Sequence, residues 1–299
     1  MKTGFIGIIG RPNVGKSTLL NAVLGEKIAI TTDKPQTTRN TIRGIYTREE
    51  TDTDEGCQMI FLDTPGIHKP RTKLGNFMTD TAITTFKEVE VILFLVDGKI
   101  DKGPGDKYIL DMIKDIDTPK ILVINKIDKM NPEEFREIFE EYENMNIFDA
   151  IYGTSALEGK NVPQLLDKIE EFLEDGPQYF PSDMVTDHPE RFIVSEIIRE
   201  KVLLYLEDEV PHGVAIEIES YSEEPTITRI GAVIYCERKS HKGIIIGKQG
   251  KKLKGIGKSA RMEIEALIGT KVFLELWVKV KENWRDSDFA LGNFGYKDL

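Results

Sequence analysis

Along the first 175 positions apolar residues fall into short runs, and the spacing within each run separates strands from helices. FIGII (5–9) has a strand's length and leads into a glycine-rich loop. STLLNAVLG (17–25) has helical apolar spacing and a glycine stop. TIRGIYT (41–47) and CQMIFLD (57–63) read as two strands of a hairpin across the acidic turn REETDTDEG. VILFLVD (91–97) and KILVIN (120–125) are near-continuous apolar runs, the pattern of central parallel strands buried on both faces. Helical patterns follow each of them. A sixth strand, DAIYGTS (149–155), precedes a last helix, NVPQLLDKIEEFLE (161–174). The order predicts a doubly wound α/β domain over 1–175 with one antiparallel edge strand.

The pattern then breaks. Residues 176–190 hold three prolines and no sustained period, which predicts a linker, packed because Tyr179, Phe180 and Met184 give it something to bury. From 191 to 299 a second domain is predicted, opening on the amphipathic helix RFIVSEIIREKVLLYLEDE (191–209). Two alternating strands follow, GVAIEIESY (213–221) and TRIGAVIYCE (228–237). Then come a helix, a glycine-lysine loop, a second helix through SARMEIEALIG (259–269) and the strand KVFLELWVKV (271–280). That is an α-β-β-α-α-β order.

Charge divides the chain further. The formal net charge is −11, and residues 1–180 carry 22 basic and 31 acidic side chains against 18 and 20 beyond. Yet 238–261 holds nine Lys or Arg and no acid, a local field the average hides. No apolar run is long enough to span a bilayer, and MKTGFIGIIG lacks a signal-peptide cleavage pattern. Cys57 and Cys236 sit among strand residues, which suits buried free thiols in a reducing, cytoplasmic setting.

The candidate chemistry lies at the strand ends. GRPNVGKS matches G-x-x-x-x-G-K-[ST] between a predicted strand and a predicted helix. Its residues Gly10, Arg11, Pro12, Asn13, Val14, Gly15, Lys16 and Ser17, with Thr18 behind them, would wrap phosphates with backbone N–H groups. Lys16 would reach the β- and γ-phosphates and Ser17 would hold Mg²⁺. In DTPG (Asp63, Thr64, Pro65, Gly66) the carboxylate would meet the metal and the Gly66 N–H a γ-phosphate. NKID (Asn125, Lys126, Ile127, Asp128) ends a buried strand, where Asp128 would accept two hydrogen bonds from guanine. TSAL puts Ser155 and Ala156 where a backbone N–H would meet the guanine carbonyl.

A second loop, IIGKQG, is followed by Lys251 and Lys252 with no hydroxyl for Mg²⁺, and so cannot serve a nucleotide the same way. A G-x-x-G turn between two helices suits a single strand of RNA instead. Ile246, Gly247, Lys248, Gln249, Gly250, Lys251, Lys252 and Lys254 are its candidate contacts, with Ile244, Ile245, Ile246 and Ile256 as an apolar floor for bases. The competing reading is a solvated lysine-rich helix face.

The strand-end motifs resemble those of the translation-factor-related GTPases, whose Ras-like P-loop domain is the implied fold. That resemblance makes Thr38, beside Thr37, the switch threonine that binds metal, and Lys16, Thr38 and Gly66 the groups acting in GTP hydrolysis to GDP. Ile67 stands where Ras-like enzymes carry a water-orienting glutamine, which implies slow intrinsic turnover. Asn13 resembles the asparagine that holds K⁺ in cation-activated relatives; equally, it tolerates a turn. His68 reads as incidental. With the second domain included, the whole chain resembles the Era family of bacterial GTPases, which carry a C-terminal type II KH domain. The resemblance implies GTP/GDP and Mg²⁺ as ligands and a monomer. It also implies binding near the 3′ end of small-subunit ribosomal RNA during subunit maturation, and peripheral contact with the inner face of the cell membrane. Trp277 and Trp284 among lysines would suit an interface, although LELWVKV is first a strand. Two rivals stand beside this reading: a passive RNA-binding scaffold that holds GTP without useful turnover, and a membrane-surface GTPase.

Overall fold

The computed structural model describes residues 1–34, 37–51, 55–67, 72–85, 88–98, 104–207 and 210–296; His68 lies outside them. By its internal contacts the chain forms two units. The first comprises Met1–Ala29, Thr38–Pro70 and Met78–Asp187, the second Ile30–Thr37, Arg71–Phe77 and His188–Leu299. The division falls inside the stretch read as a linker. It also assigns to the second unit two short segments that sequence order alone places in the first.

In the first unit the elements run β1 (Lys2–Gly10), α1 (Lys16–Leu24), β2 (Ile42–Arg48), β3 (Cys57–Asp63), the part of α2 (Lys73–Thr85) from Met78 onward, β4 (Val91–Val96) and α3 (Pro104–Ile113). β5 (Lys120–Ile124), α4 (Pro132–Glu143), β6 (Ala150–Gly153), α5 (Val162–Glu170) and β7 (Glu174–Asp175) complete it. The sheet order is β2-β3-β1-β4-β5-β6, with β7 added antiparallel on β1. β2 pairs antiparallel with β3, and the other neighbours on this path are parallel. Every residue of β4 and β5 is buried, which explains their unbroken apolar runs. α4 starts on a capping box: Asn131 Oδ1 accepts from the Glu133 and Glu134 N–H groups, and Glu134 accepts from the Asn131 N–H.

Residues 176–187 pack on this unit chiefly by polar contacts, with Phe180 and Met184 half-buried. Tyr179 stays 52% exposed, and its ring lies 5.4 Å from that of Phe5. The fastening is Gln58, fully buried on β3. Its Oε1 accepts from the Tyr179 and Phe180 N–H groups at 2.8 and 3.0 Å, and its Nε2 donates to the Phe180 carbonyl at 2.8 Å. The Ile45 N–H donates to the Val185 carbonyl at 2.8 Å and Thr186 Oγ1 donates to the Arg43 carbonyl at 2.6 Å.

The second unit contains α6 (Glu190–Tyr205), β8 (Ala215–Glu224), β9 (Ile227–Cys236), α7 (Lys239–Ile246), α8 (Lys251–Ile268), β10 (Lys271–Val280) and a short α9 (Asp288–Asn293). Its sheet order is β10-β9-β8, with β10 parallel and β8 antiparallel to β9. α6 and α8 cover one face through Val194, Ile197, Ile198, Ala260 and Ile264. Ile245 and Ile256, read as a floor for bases, are instead fully buried between the helices and β9, because their periodicity is that of a core-facing stripe. Trp284 is also buried rather than interfacial: its Nε1–H donates to the Gly213 carbonyl at 2.8 Å, and Phe294 and Tyr296 pack on its ring. Within this unit Arg199 of α6 pairs with Glu196 and donates to the Thr37 carbonyl. Its neighbour Glu200 accepts the Thr31 N–H at 2.9 Å and pairs with Lys201, which also pairs with Glu263 of α8. Cys57 and Cys236 are buried and are not joined in a disulfide.

Candidate nucleotide and nucleic-acid sites

The sheet order explains why scattered motifs meet. The loops after β1, β3, β5 and β6 leave the carboxyl ends of parallel strands in one sheet, the position where open α/β folds bind ligands. Gly15 opens α1 with φ of 105°, and a Cβ there would stand 2.2 Å from Asn125 Nδ2, so only glycine fits. Lys16 is buried and donates to the carbonyls of Gly10 (3.2 Å) and Arg11 (3.0 Å); burial lowers its pKa to about 8.

Ser17 Oγ donates to Asp63 Oδ2 at 2.6 Å and lies 2.9 Å from Thr38 Oγ1. This settles which threonine joins the cluster. Thr37 Oγ1 instead donates to the Lys34 carbonyl and lies 2.6 Å from Thr32 Oγ1. Asp63 is wholly buried, and its Oδ1 has no hydrogen-bond partner. Burial raises its pKa to about 6, against the opposing pull of Lys16 and the hydroxyls of Ser17 and Thr38. Two hydroxyls and a carboxylate with an unsatisfied oxygen form a hard-oxygen donor set, which fits Mg²⁺ with a nucleotide's phosphates completing the shell. Among the described residues no group of three or more His, Cys, Asp or Glu forms an alternative metal site.

Thr64 Oγ1 donates to the Ile8 carbonyl at 2.8 Å, and Gly66 lies against Pro12 of the phosphate loop. Ile67, a candidate nucleotide contact by its place after DTPG, meets the phosphate loop through its backbone. Its N–H donates to the Gly10 carbonyl at 3.3 Å, but its side chain is fully buried in the core with Ile9, Phe94 and Ile109. An aliphatic side chain at this position is drawn to the core, away from the polar loops.

Asn125 works as a brace. Its Nδ2 donates to the Val14 carbonyl at 2.9 Å, and its Oδ1 accepts from Thr154 Oγ1 (3.2 Å) and from the Ala156 N–H (3.0 Å). The Ala156 N–H expected to face guanine is therefore turned inward in this structure. Lys126, at φ of 64°, donates to the Asn13 carbonyl and pairs with Asp97 at 2.8 Å. Asp128 is exposed, and its Oδ1 accepts from Ser155 Oγ at 2.6 Å. The side chain of Arg11 is engaged apart from the phosphate loop's own backbone role. Its guanidinium pairs with Asp97 (3.1 Å) and with the buried Asp106 (2.6 Å).

In the second unit Gly247 ends α7 and Gly250 starts α8, at φ of 71° and 73°. Lys248, Lys251 and Lys254 are exposed and Lys252 is half-buried. A groove of about 600 Å³ runs from Gly250 along α8, between Lys254, Lys258 and Arg261 on one side and Phe273, Leu274 and Leu276 of β10 on the other. Lys258 and Arg261 were not among the RNA candidates. Lys258 lies four residues beyond Lys254 and Arg261 three beyond Lys258, the spacing that marks a shared helix face.

Comparison with known proteins agrees with this geometry. Residues 5–126 match the family described as 50S ribosome-binding GTPase, and residues 209–285 match the KH domain family. The chain is 58% identical over 297 residues to GTPase Era of Alkaliphilus oremlandii and 56% identical over 300 residues to GTPase Era of Clostridioides difficile, covering 99% of each chain in both pairs. Among solved structures it is similar to an Aquifex aeolicus Era variant bound to GDP·AlF4⁻, with a TM-score of 0.94. It is equally similar to Era in complex with MgGDPNP and nucleotides 1506–1542 of 16S ribosomal RNA, with a TM-score of 0.93. Both matches are at 40% identity and cover 100% of each chain.

Proposed function

Because this chain belongs to the Era family of GTPases, we propose that it is a GTP-hydrolysing switch that binds single-stranded small-subunit ribosomal RNA and acts in maturation of that subunit. The observation that carries the reading is one chain holding both the Ser17–Thr38–Asp63 oxygen cluster and the Gly247–Gly250 loop at the head of basic α8. GTP or GDP lies along the phosphate loop, Ser17, Thr38 and Asp63 hold Mg²⁺, and Asp128 recognises guanine. Magnesium supplies charge neutralisation of the phosphates when bound; Lys16 and the loop N–H groups hold the transferred group in line. The solved relative with MgGDPNP and 16S ribosomal RNA supports both ligands.

Asp128→Asn tests the nucleotide half. It turns a two-acceptor carboxylate into a mixed donor and acceptor, so GTP affinity should fall by about 2–4 kcal/mol while xanthosine triphosphate gains. Undiminished GTP affinity removes the guanine assignment. Asn13 as a K⁺ ligand is a finer part of the same proposal: hydrolysis in K⁺ should exceed that in Na⁺, and equal rates refute it. On this reading the chain works in the cytoplasm, where small subunits mature. Peripheral membrane contact would rest on Trp277, which is 44% exposed, and flotation with anionic vesicles tests it. Among the described residues no helix is long and apolar enough to cross a membrane.

A further inference from the structure

The strand β4 lies between β1 and β5 in the sheet, so the loops that leave β1 and β5 flank whatever residue follows β4. That residue is Asp97. Gly10 pairs with Leu95 across one side, and Val96 pairs with Ile124 across the other. The two oxygens of Asp97 are divided between those loops. Oδ1 accepts from Arg11 Nη2 at 3.1 Å, and Oδ2 from Lys126 Nζ at 2.8 Å. Arg11 is the second residue of the phosphate loop, and Lys126 is the second of the base-recognition motif. Lys126 also donates to the Asn13 carbonyl, so one lysine ties Asp97 back to the phosphate loop a second time.

We propose that Asp97 is a positioning residue for nucleotide binding: a single carboxylate that fixes the spacing between the loop that wraps the phosphates and the loop that reads the base. The inference rests on the guanine-nucleotide reading above. Its logic is geometric. A nucleotide has a fixed distance between base and phosphates, so two loops already held at that distance lose less freedom on binding. Arg11 could not substitute for the link alone, because its Nε side is occupied by Asp106 of α3, a carboxylate with no exposed surface. Arg11 is thereby anchored to α3, Lys126 is anchored to Asn13, and Asp97 joins the two anchored groups.

A competing effect has the opposite sign. A carboxylate beside Arg11 and Lys126 subtracts from the positive field offered to phosphates, so its removal could tighten binding by Coulomb attraction alone. The pairs are partly exposed, with side-chain accessibilities of 19–31%, and solvent weakens that attraction. The two effects predict opposite outcomes.

The test is equilibrium titration of Asp97→Asn with GDP and with a non-hydrolysable GTP analogue, each Kd expressed per folded molecule. Positioning predicts that both Kd values rise by the same factor, about 5- to 20-fold, because the link serves base and phosphate loop rather than the γ-phosphate. Asp97→Glu, which keeps the charge, should recover part of the loss. In a Lys126→Gln background the Asp97→Asn penalty should shrink at least threefold, since one of its two links is already gone. A merely structural role would lower the melting temperature of the nucleotide-free protein without this non-additivity. Unchanged or tighter nucleotide binding overturns the proposal, as does a penalty undiminished beside Lys126→Gln. Where Asp97→Asn does not fold, Asp97→Ser removes the same charge and carries the same expectations. Failure of the wild-type chain to bind GDP would defeat the nucleotide reading itself, whereas wild-type binding with unaffected variants defeats only the role of Asp97.

Discussion

A carboxylate cut off from water keeps its proton to a higher pH than a free one, and Asp63 is that case: burial raises its pKa to about 6 against the opposing pull of Lys16 and two hydroxyls. In nucleotide-free, metal-free protein this has a definite sign. The folded pKa lies above the unfolded one, so the contribution of Asp63 to stability is fully present below about pH 4 and is lost as pH rises through about 6. Asp63→Asn should therefore raise the unfolding midpoint in denaturant at pH 7.5, with the gain closing between about pH 6 and 4, while Mg²⁺-dependent hydrolysis disappears. A gain independent of pH would show that ionisation is not its cause. Ile67 sits one residue past the same motif. Ile67→Gln should not create a faster enzyme, because the amide would enter a filled apolar core; it should cost about 2–4 kcal/mol in denaturant unfolding. Single-turnover hydrolysis faster than wild type would contradict this placement. Side-chain direction at these positions was only partly legible in the sequence. The motifs gave Lys16, Ser17 and Asp63 their neighbours and the family resemblance pointed to Thr38, but sending Ile67 inward required knowing which apolar wall lay opposite.

Strand and helix identities were largely legible, since period and run length follow directly from which faces are buried. What the pattern missed were α2 between the third and fourth strands, and pieces with little period of their own: two-residue β7, six-residue α9 and the turn that buries Trp284. The linker was legible as a break in pattern but not in its fastening, because one buried glutamine on a distant strand holds it. At the same scale, α8 offers its lysines on a face that begins at the glycine loop. Gly247→Asp places a side chain at positive φ, with its Cβ 2.7 Å from Lys252 Cβ, and a negative charge where a phosphate chain would pass. Affinity for single-stranded ribosomal RNA should fall at least tenfold, and GTP affinity of the first unit should not move. For the wild type, three or four phosphate contacts along this face give log affinity a slope of roughly −2 to −3 against log salt. A slope near zero would remove the electrostatic reading of the loop.

For the molecule as a whole, the segments Ile30–Thr37 and Arg71–Phe77 belong by their contacts with the second unit, although each adjoins a nucleotide motif in sequence. Thr38 follows the first directly. If GTP changes RNA affinity by some factor, RNA must change GTP affinity by the same factor. Titrating a fluorescent, non-hydrolysable GTP analogue with and without single-stranded ribosomal RNA measures that factor, and Arg199→Ala, which releases the Thr37 carbonyl, should bring it closer to one. An unchanged factor in the variant would mean that α6 does not transmit the effect. Sequence order could not reveal this sharing, because it follows from packing rather than from period. The Gln58 fastening has a practical consequence for anyone separating the two units. A fragment ending at residue 175, where the helical pattern stops, would strip Gln58 of three of its hydrogen bonds and uncover a strand surface. A fragment ending at residue 187 would keep them. The shorter piece should be less stable by about 1–3 kcal/mol. In the intact chain the amide protons of Tyr179 and Phe180 should exchange with deuterium as slowly as those of a sheet, in a stretch whose prolines and exposed tyrosine look like a protease's first cut.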